Sequence, residues 1–177
     1  VGMSMGGMIV QTMAIDRPER IRSVVSVMST TRARDVGQPT SEALERLLTP
    51  PPSNRDEYIE ASVGAEIWSS KRYFDPERAR QKAAASFDRM FYPEGPTRQY
   101  AAIMASGDRT EALRSVTVPM LVIHGKDDTL IHPSGGEATA AVVPGAKLVM
   151  LDDMGHDIPK PLWSEIAGAI VEFGDSV

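Results

Sequence analysis

The residues that could do chemistry begin at the fourth position, where Ser4 lies within the run Gly-Met-Ser-Met-Gly of residues 2–6. The pattern Gly-x-Ser-x-Gly is typical of a sharp turn between a strand and a helix that exposes a nucleophilic serine. We expect Gly2 and Gly6 to leave room at this turn where larger side chains would clash. The pattern predicts acyl-transfer chemistry at Ser4. The alternative is a serine that only caps the amide groups of a helix.

A serine hydroxyl is a weak nucleophile near neutral pH, so Ser4 needs a base within hydrogen-bonding reach. His156 is the best of three candidate histidines, because it lies in a short glycine-containing loop after an apolar run at residues 146–151. His124 is predicted to end a strand, and His132 to lie in a loop beside the start of a helix. A histidine of the core or the surface is the alternative interpretation of His156.

The base in turn needs an acid that holds its tautomer, and two carboxylates follow an apolar run at residues 118–125. We choose Asp128 as the partner of His156, with Asp127 as the alternative, because adjacent loop side chains point in different directions. Both could also be ordinary turn-forming carboxylates. The chain lacks cysteine and its histidines have no close paired spacing, so we expect no metal site.

Alternating strand and helix patterns must position these residues. Crossover rules turn such an alternation into an α/β fold, a parallel sheet flanked by helices, with the functional side chains at the carboxyl ends of the strands. Strands are predicted at residues 24–28, 118–125 and 146–151, and helices after Ser4, at residues 133–143, and along a terminal stripe formed by Leu162, Ile166, Ile170 and Phe173.

Residues 32–113 differ from the rest of the chain, because charged helical patterns there are interrupted by prolines. We interpret them as an inserted helical lid between two parts of the core, at residues 1–31 and 114–177. Trp68 in the lid and Met3 beside the nucleophile are our candidates for substrate contact, although core packing is the commoner role of such side chains. The lid aromatic residues that could cover a substrate are Trp68, Tyr73, Phe74, Phe87, Phe91 and Tyr92.

Composition limits the possible partners. A formal net charge of −5, a pI near 5.2 and dispersed lysine and arginine residues argue against nucleic acid. No apolar run is long enough to cross a membrane. The first residues do not form a basic and apolar signal-like segment, so the default expectation is a cytoplasmic location. The expected partner is a small-molecule ester.

Three regions together resemble the signature regions of the α/β-hydrolase superfamily, namely residues 2–7, residues 125–128 and residues 155–156. Serine, acid and histidine also follow one another in the chain order of that superfamily. Within the superfamily, residues 8–31 resemble small esterase-like members, including methylesterases of aromatic polyketide biosynthesis and cofactor-free haloperoxidases. The motifs are specific for the superfamily and much less so for a substrate.

The resemblance implies a role for each matched residue. Ser4 would attack the carbonyl of a small or medium apolar ester, and His156 would take and return the proton. Asp128 would orient the imidazole, and the backbone amide of Met5 would donate to the oxyanion. Ester hydrolysis of this kind passes through an acyl-enzyme and uses no cofactor. A cofactor-free haloperoxidase or perhydrolase would use the same triad and is the alternative enzyme.

In this superfamily a strand leads into the serine turn, and a second oxyanion donor comes from a loop after an earlier strand. Only residues 1–3 precede Ser4, and they contain no His-Gly-type loop. We therefore expect an N-terminally truncated domain that belongs to a longer enzyme. The upstream segment, or another chain, would then cover the open edge of the sheet. A non-catalytic binding fragment is the alternative from another class of function.

Overall fold

The computed structural model describes residues 1–177 and contains one four-stranded sheet. The strands are β1 at Gly2–Met3, β2 at Val24–Val27, β3 at Met120–Gly125 and β4 at Lys147–Leu151. They lie in the order β1-β2-β3-β4, and every neighbouring pair is parallel. All four strands therefore end at the same edge of the sheet. The predicted parallel sheet is confirmed.

Local backbone chemistry explains where the strands begin and end. Pro119 has no amide hydrogen to donate to a strand ladder, and β3 begins at the next residue instead of at residue 118 as predicted. The strand predicted at residues 24–28 ends one residue early, because Met28 has a φ of 43° that departs from the extended conformation. β4 begins at Lys147, one residue later than expected.

Eight α-helices and three short 3-10 helices form most of the remaining chain. The helices predicted after Ser4, between β3 and β4, and near the C-terminus are all present. None of the helices has both the length and the apolar character needed to cross a bilayer. The α-helices are α1 at Met5–Asp16, α2 at Ser41–Leu48, α3 at Arg55–Ala61, α4 at Pro76–Arg89, α5 at Gly95–Ser106, α6 at Thr110–Leu113, α7 at Ser134–Val142 and α8 at Trp163–Asp175. The 3-10 helices lie at Pro18–Arg20, Ser62–Trp68 and Lys160–Leu162.

The sheet has an apolar cluster on each face, because successive side chains of a strand point to opposite faces. Val25 of β2 belongs to a cluster that includes Phe173 of α8. Its neighbour Val24 belongs to a second cluster that includes Ala14 of α1. β2 and β3 are buried along their whole lengths, as parallel strands covered on both faces must be.

Residues 32–113 contain α2 to α6, and side-chain caps fix the starts of three of these helices. Thr40, Asn54 and Asp75 each accept hydrogen bonds from amide groups in the first turn of α2, α3 and α4. Pro76 occupies the first turn of α4, where a missing amide hydrogen costs no helix hydrogen bond. The division of the chain into core and lid at these boundaries stays a prediction.

Two adjacent glycines of α1 provide a test of how closely this helix packs on the sheet edge. A Cβ on Gly7 would lie 2.5 Å from the Cβ of Ser29, whereas a Cβ on Gly6 would meet no atom within 4 Å. We expect Gly7→Ala to lower the melting temperature by several degrees, because overpacking costs about 1–3 kcal/mol. Gly6→Ala should keep or raise the melting temperature, since alanine favours a helix by about 0.5–1 kcal/mol. Thermal unfolding followed by circular dichroism measures both changes, and equal melting temperatures would contradict this packing.

Candidate active site

Ser4 occupies a strained turn between β1 and α1, with φ 54° and ψ −121°. A positive φ at a non-glycine residue costs about 1–3 kcal/mol and persists where the surroundings fix it. Here the Ser4 amide donates to the Val27 carbonyl oxygen of β2 at 2.9 Å. A Cβ on Gly2 would overlap the carbonyl oxygen of Gly6, so the turn requires glycine at position 2. The same expectation for Gly6 was wrong, because that position faces open space in this chain.

A chain of two short hydrogen bonds links Ser4, His156 and Asp128. Ser4 Oγ lies 2.8 Å from His156 Nε2, and His156 Nδ1 lies 2.7 Å from Asp128 Oδ2. The structure thus brings the three sequence-predicted residues together across 152 positions of sequence. Ser4 makes no side-chain cap bond to α1, so the alternative of a simple helix cap is wrong.

Asp128 is held as a buried hydrogen-bond acceptor. Its Oδ1 accepts from the amides of Leu130 and Ile131 at 2.9 and 2.8 Å, which leaves Oδ2 free to face His156. Burial raises the pKa of Asp128, but hydrogen bonds from His124 and His156 outweigh it and bring the pKa below its ordinary value. An ionised carboxylate only accepts, so His156 Nδ1 carries the hydrogen and Nε2 accepts the hydroxyl hydrogen of Ser4.

The structure distinguishes the two adjacent carboxylates by their partners. Asp127 Oδ2 accepts from the Lys71 amide at 3.4 Å, and its other oxygen lies 3.7 Å from the Lys71 ammonium. Asp127 therefore faces the inserted segment, whereas Asp128 faces His156. The two side chains of one turn point in different directions, which the sequence alone could not resolve.

The other two histidines lie outside this hydrogen-bond chain, but one of them supports it. His132 is exposed and pairs with Ser134 at the start of α7. His124 is fully buried at the end of β3, with its Nε2 2.8 Å from the carbonyl oxygen of Ile131 and 3.5 Å from Asp128 Oδ2. The spacing of four residues between His124 and Asp128 was the only sequence signal for this contact.

A six-residue strap, defined as residues 67–72, joins the inserted segment to the loops that carry Asp128 and His156. A Cβ on Gly155 would overlap the Trp68 carbonyl oxygen, so the loop that carries His156 lies directly against the strap backbone. The polar contacts of the strap are Thr129 Oγ1 to the Ile67 carbonyl at 2.7 Å, the His156 amide to the Trp68 carbonyl at 2.6 Å, the Ser70 amide to Asp157 Oδ1 at 2.9 Å, the Lys71 amide to Asp127 Oδ2 at 3.4 Å, and Arg72 Nη1 to Asp153 Oδ2 at 3.1 Å. These contacts hold the loop backbone that presents His156.

Ser4 opens onto a cavity of about 390 Å³ beneath the helices of residues 32–113. This volume falls in the range of small-molecule sites. Met5 and Met8 of α1 line it together with Ser4, and the remaining walls are mostly aliphatic. These walls include Leu44, Leu47 and Leu48 of α2, Pro96, Tyr100, Ile103 and Met104 of α5, and Pro50, Pro51 and Pro93 of the connecting loops.

The two residues predicted to contact substrate lie elsewhere. Met3 is 47% exposed on the edge strand and does not line the Ser4 cavity. Trp68 lines a second cavity of about 690 Å³, on which His156 also borders. Tyr100 is the one aromatic residue around the Ser4 cavity. The amphipathic leucine pattern of α2 was therefore a better sequence signal for the wall of the Ser4 cavity than the aromatic residues of residues 32–113.

The predicted aromatic cover divides between that second cavity and internal packing, except for Tyr92, which is exposed. Tyr73 and Phe74 line the second cavity beside Trp68. Phe87 and Phe91 stack with ring centroids 4.6 Å apart, and both contact the ring of Tyr58. We place the candidate site in the cavity that contains Ser4, since a reacting carbonyl must approach the serine oxygen.

The N-terminus of α1 gives the Ser4 cavity a fixed polar end. The first amide groups of a helix have no partner within the helix, and the helix dipole places partial positive charge there. Met5, the first residue of α1, lines the cavity directly beside Ser4. No group of three or more histidine, cysteine, aspartate or glutamate side chains is arranged to hold a metal ion.

Comparisons with known proteins agree with this architecture. A family model described as alpha/beta hydrolase fold matches residues 1–160. Rhodomycin D methylesterase DnrP of Streptomyces peucetius is 26% identical over 195 residues, which cover 96% of this chain and 64% of DnrP. Rhodomycin D methylesterase DauP of Streptomyces sp. (strain C5) matches with the same identity and coverage. The chain thus spans slightly less than two thirds of the length of these curated relatives.

Solved structures show the same fold. The meta-cleavage product hydrolase CumD from Pseudomonas fluorescens IP01, in a mutant form complexed with acetates, superposes with a TM-score of 0.73 at 23% identity, and the match covers 99% of this chain and 63% of CumD. An enol-lactonase from Burkholderia xenovorans LB400 gives a TM-score of 0.69 at 24% identity, with 97% and 63% covered. At this level of identity the likeness establishes the fold.

Acid unfolding tests the ionised state of Asp128. Its folded-state pKa is lowered, so its stabilising contribution is present above the ordinary aspartate value of about 4 and is lost as pH falls through the lower folded value. We expect the difference in unfolding free energy between the wild type and Asp128→Asn to be constant just above pH ~5 and to shrink below about pH 4. Urea titrations at several pH values measure this difference. A difference that grows on acidification would contradict an ionised Asp128.

The contact between Asp157 and the strap can be tested by a matched set of variants. Asp157→Ala should reduce the unfolding free energy by about 1–3 kcal/mol, because the buried Ser70 amide loses its acceptor. Burial raises the pKa of Asp157 more than the amide hydrogen bonds from Ser70 and Gly155 lower it. A neutral acceptor therefore suits the site, and Asp157→Asn should retain stability.

The control is Asp152→Ala, which removes an exposed carboxylate paired with Lys126. It should change the unfolding free energy by less than about 0.5 kcal/mol. Urea unfolding compares all three variants. Equal losses for Asp157→Ala and Asp152→Ala would show that the strap contact contributes no stability.

Proposed function

The chain belongs to the α/β-hydrolase fold family, and we propose that it acts as a serine hydrolase that cleaves a carboxylic ester. One observation carries the proposal. The unbroken hydrogen-bond chain from Ser4 through His156 to Asp128 opens onto a mostly aliphatic cavity. Nucleophile, base and acid are thereby within reach of an apolar substrate.

In the proposed reaction, His156 Nε2 takes the hydroxyl proton while Ser4 Oγ forms a bond with the ester carbonyl carbon. The ionised Asp128 stabilises the imidazolium that results. This imidazolium then gives the proton to the departing alkoxide, so that the ester C–O bond breaks and an acyl-serine remains. A water molecule that passes its proton to His156 attacks the acyl group and releases the carboxylic acid and free Ser4.

The oxyanion of the tetrahedral intermediate would lie at the N-terminus of α1. The Met5 amide is the proposed donor, and its position beside Ser4 in the cavity supports this role. A backbone donor needs no reorganisation during the reaction, and losing one such donor typically costs about 10²–10³ in turnover. The second donor inferred from the superfamily resemblance stays a prediction.

The cavity and the relatives together support an ester as the substrate. Two of the relatives are named methylesterases, and one structural neighbour is named an enol-lactonase. We infer a small or medium substrate with an apolar body, because leucine, proline and methionine side chains surround most of the cavity. Residues 32–113 would act as the lid, since α2 and α5 form walls of this cavity. The haloperoxidase and binding-fragment alternatives stay predictions.

Hydrolysis of para-nitrophenyl butyrate by four forms of the protein tests the proposed function. The wild type should hydrolyse the ester, and Ser4→Ala should lose this activity. Asp128→Asn should reduce kcat by about 10⁴, because the imidazole loses its correct tautomer. Asp127→Asn is the matched control and should stay within a few-fold of the wild type.

Circular dichroism establishes that each variant is folded before its rate is compared. Undiminished hydrolysis by Ser4→Ala, or no hydrolysis by the folded wild type, would contradict the proposed function. A larger loss in Asp127→Asn than in Asp128→Asn would contradict the assignment of the acid.

A further inference from the structure

Arg32 is the one charged side chain among the residues that line the Ser4 cavity. It lies in the loop after β2, at the edge of the sheet where Ser4 and Asp128 also lie. The proposed ester chemistry gives it no role. A cation in an otherwise uncharged and mostly aliphatic cavity is costly to desolvate unless it has hydrogen-bond acceptors. The acceptors around the Arg32 guanidinium therefore indicate whether it binds protein groups or a ligand.

The backbone at Arg32 is held in an unfavourable conformation. Its φ is 71°, in the left-handed region. The Arg32 amide donates to Thr30 Oγ1 at 3.1 Å, and the Thr30 carbonyl accepts from the guanidinium of Arg109 at 3.1 Å. Backbone strain that the surroundings enforce in this way is concentrated at ligand-binding and catalytic sites.

The guanidinium of Arg32 has poor acceptors within the protein. Its Nη2 lies 3.0 Å from the sulfur of Met104, and a thioether is only a weak acceptor. Its Nε is buried and has no hydrogen-bond partner. No carboxylate lies within 4.0 Å of the group, so Arg32 forms no salt bridge. The guanidinium of this cavity-lining residue therefore has no oxygen acceptor within the protein.

The surroundings of Arg32 add positive charge. Burial lowers the pKa of Arg109, and the nearby charge of Arg32 lowers it further. Arg109 directs its donors to protein oxygens, those of Gln11, Ser106, Gly107 and Thr30. Asp108 lies nearby, but its Oδ1 accepts from the amide and hydroxyl of Thr110 at 2.8 and 2.6 Å. Two guanidinium groups and one engaged carboxylate leave net positive charge beside the cavity.

We propose that Arg32 is a carboxylate-binding subsite and that the preferred substrates are esters with an apolar body and one free carboxylate. This inference rests on the proposed function and narrows its substrate class. A carboxylate would supply the oxygen acceptors that Met104 does not, in the paired geometry that a guanidinium favours. The ester group would lie at Ser4 in the same cavity.

Monomethyl adipate and dimethyl adipate test the subsite, because they share one carbon chain and differ in a single negative charge. The rate of hydrolysis of each ester is measured in a pH-stat, because each carboxylic acid formed releases a proton. The wild type should have the higher kcat/KM for monomethyl adipate. Arg32→Met should lower the ratio of kcat/KM for monomethyl over dimethyl adipate by about 10- to 100-fold, the usual effect of a lost hydrogen bond to a charged group. Arg34→Met is the matched control, since Arg34 is exposed and lies outside the cavity, and it should keep the wild-type ratio.

The outcomes separate this inference from the proposed function. Hydrolysis of both esters with a ratio that Arg32→Met does not change would overturn the subsite and leave the esterase intact. Hydrolysis of neither adipate ester, nor of para-nitrophenyl butyrate, by the folded wild type would contradict the esterase. In that case, calorimetric titration of Ser4→Ala with monomethyl adipate still tests the subsite. Binding that is lost in Ser4→Ala/Arg32→Met supports the subsite, and absence of binding to Ser4→Ala overturns it.

Discussion

The parallel order of the four strands is the constraint on which the candidate site depends. Because every strand runs in the same direction, the loops after β1, β3 and β4 emerge at one edge of the sheet. Ser4, Asp128 and His156 occupy these three loops, and short hydrogen bonds join them there. Residues far apart in sequence thereby form one unit. The buried apolar clusters on both faces of β2 and β3 fix the sheet that holds this arrangement.

Two further sets of hydrogen bonds help to position the side chains of Asp128 and His156. The amides of Leu130 and Ile131 fix the carboxylate of Asp128 and leave one oxygen for His156. The strap at residues 67–72 contacts both the acid loop and the histidine loop through backbone and side-chain hydrogen bonds. The backbone that connects the helices of residues 32–113 therefore also holds the loop that carries His156.

Much of this arrangement was predictable from the sequence. The glycine-serine turn, the apolar runs and the carboxylates and histidine after them carry local signals, and parallel strands bring their carboxyl ends together. What escaped prediction depends on contacts distant in sequence. The choice between Asp127 and Asp128 depends on how one turn meets Lys71, and the mistaken expectation for Gly6 came from treating both glycines of the motif as equally crowded. Met3 and Trp68 have suitable side chains, but their placement follows from strand direction and lid packing, which composition does not encode.

The central claim is that His156 activates Ser4, and covalent labelling tests it most directly. The protein is treated with a fluorophosphonate, which reacts with activated serine hydroxyls, and its intact mass is measured beside that of Ser4→Ala. An activated Ser4 requires a single adduct on the wild type and none on Ser4→Ala. A folded wild type that gains no adduct, or a Ser4→Ala variant that gains the same one, would contradict the claim.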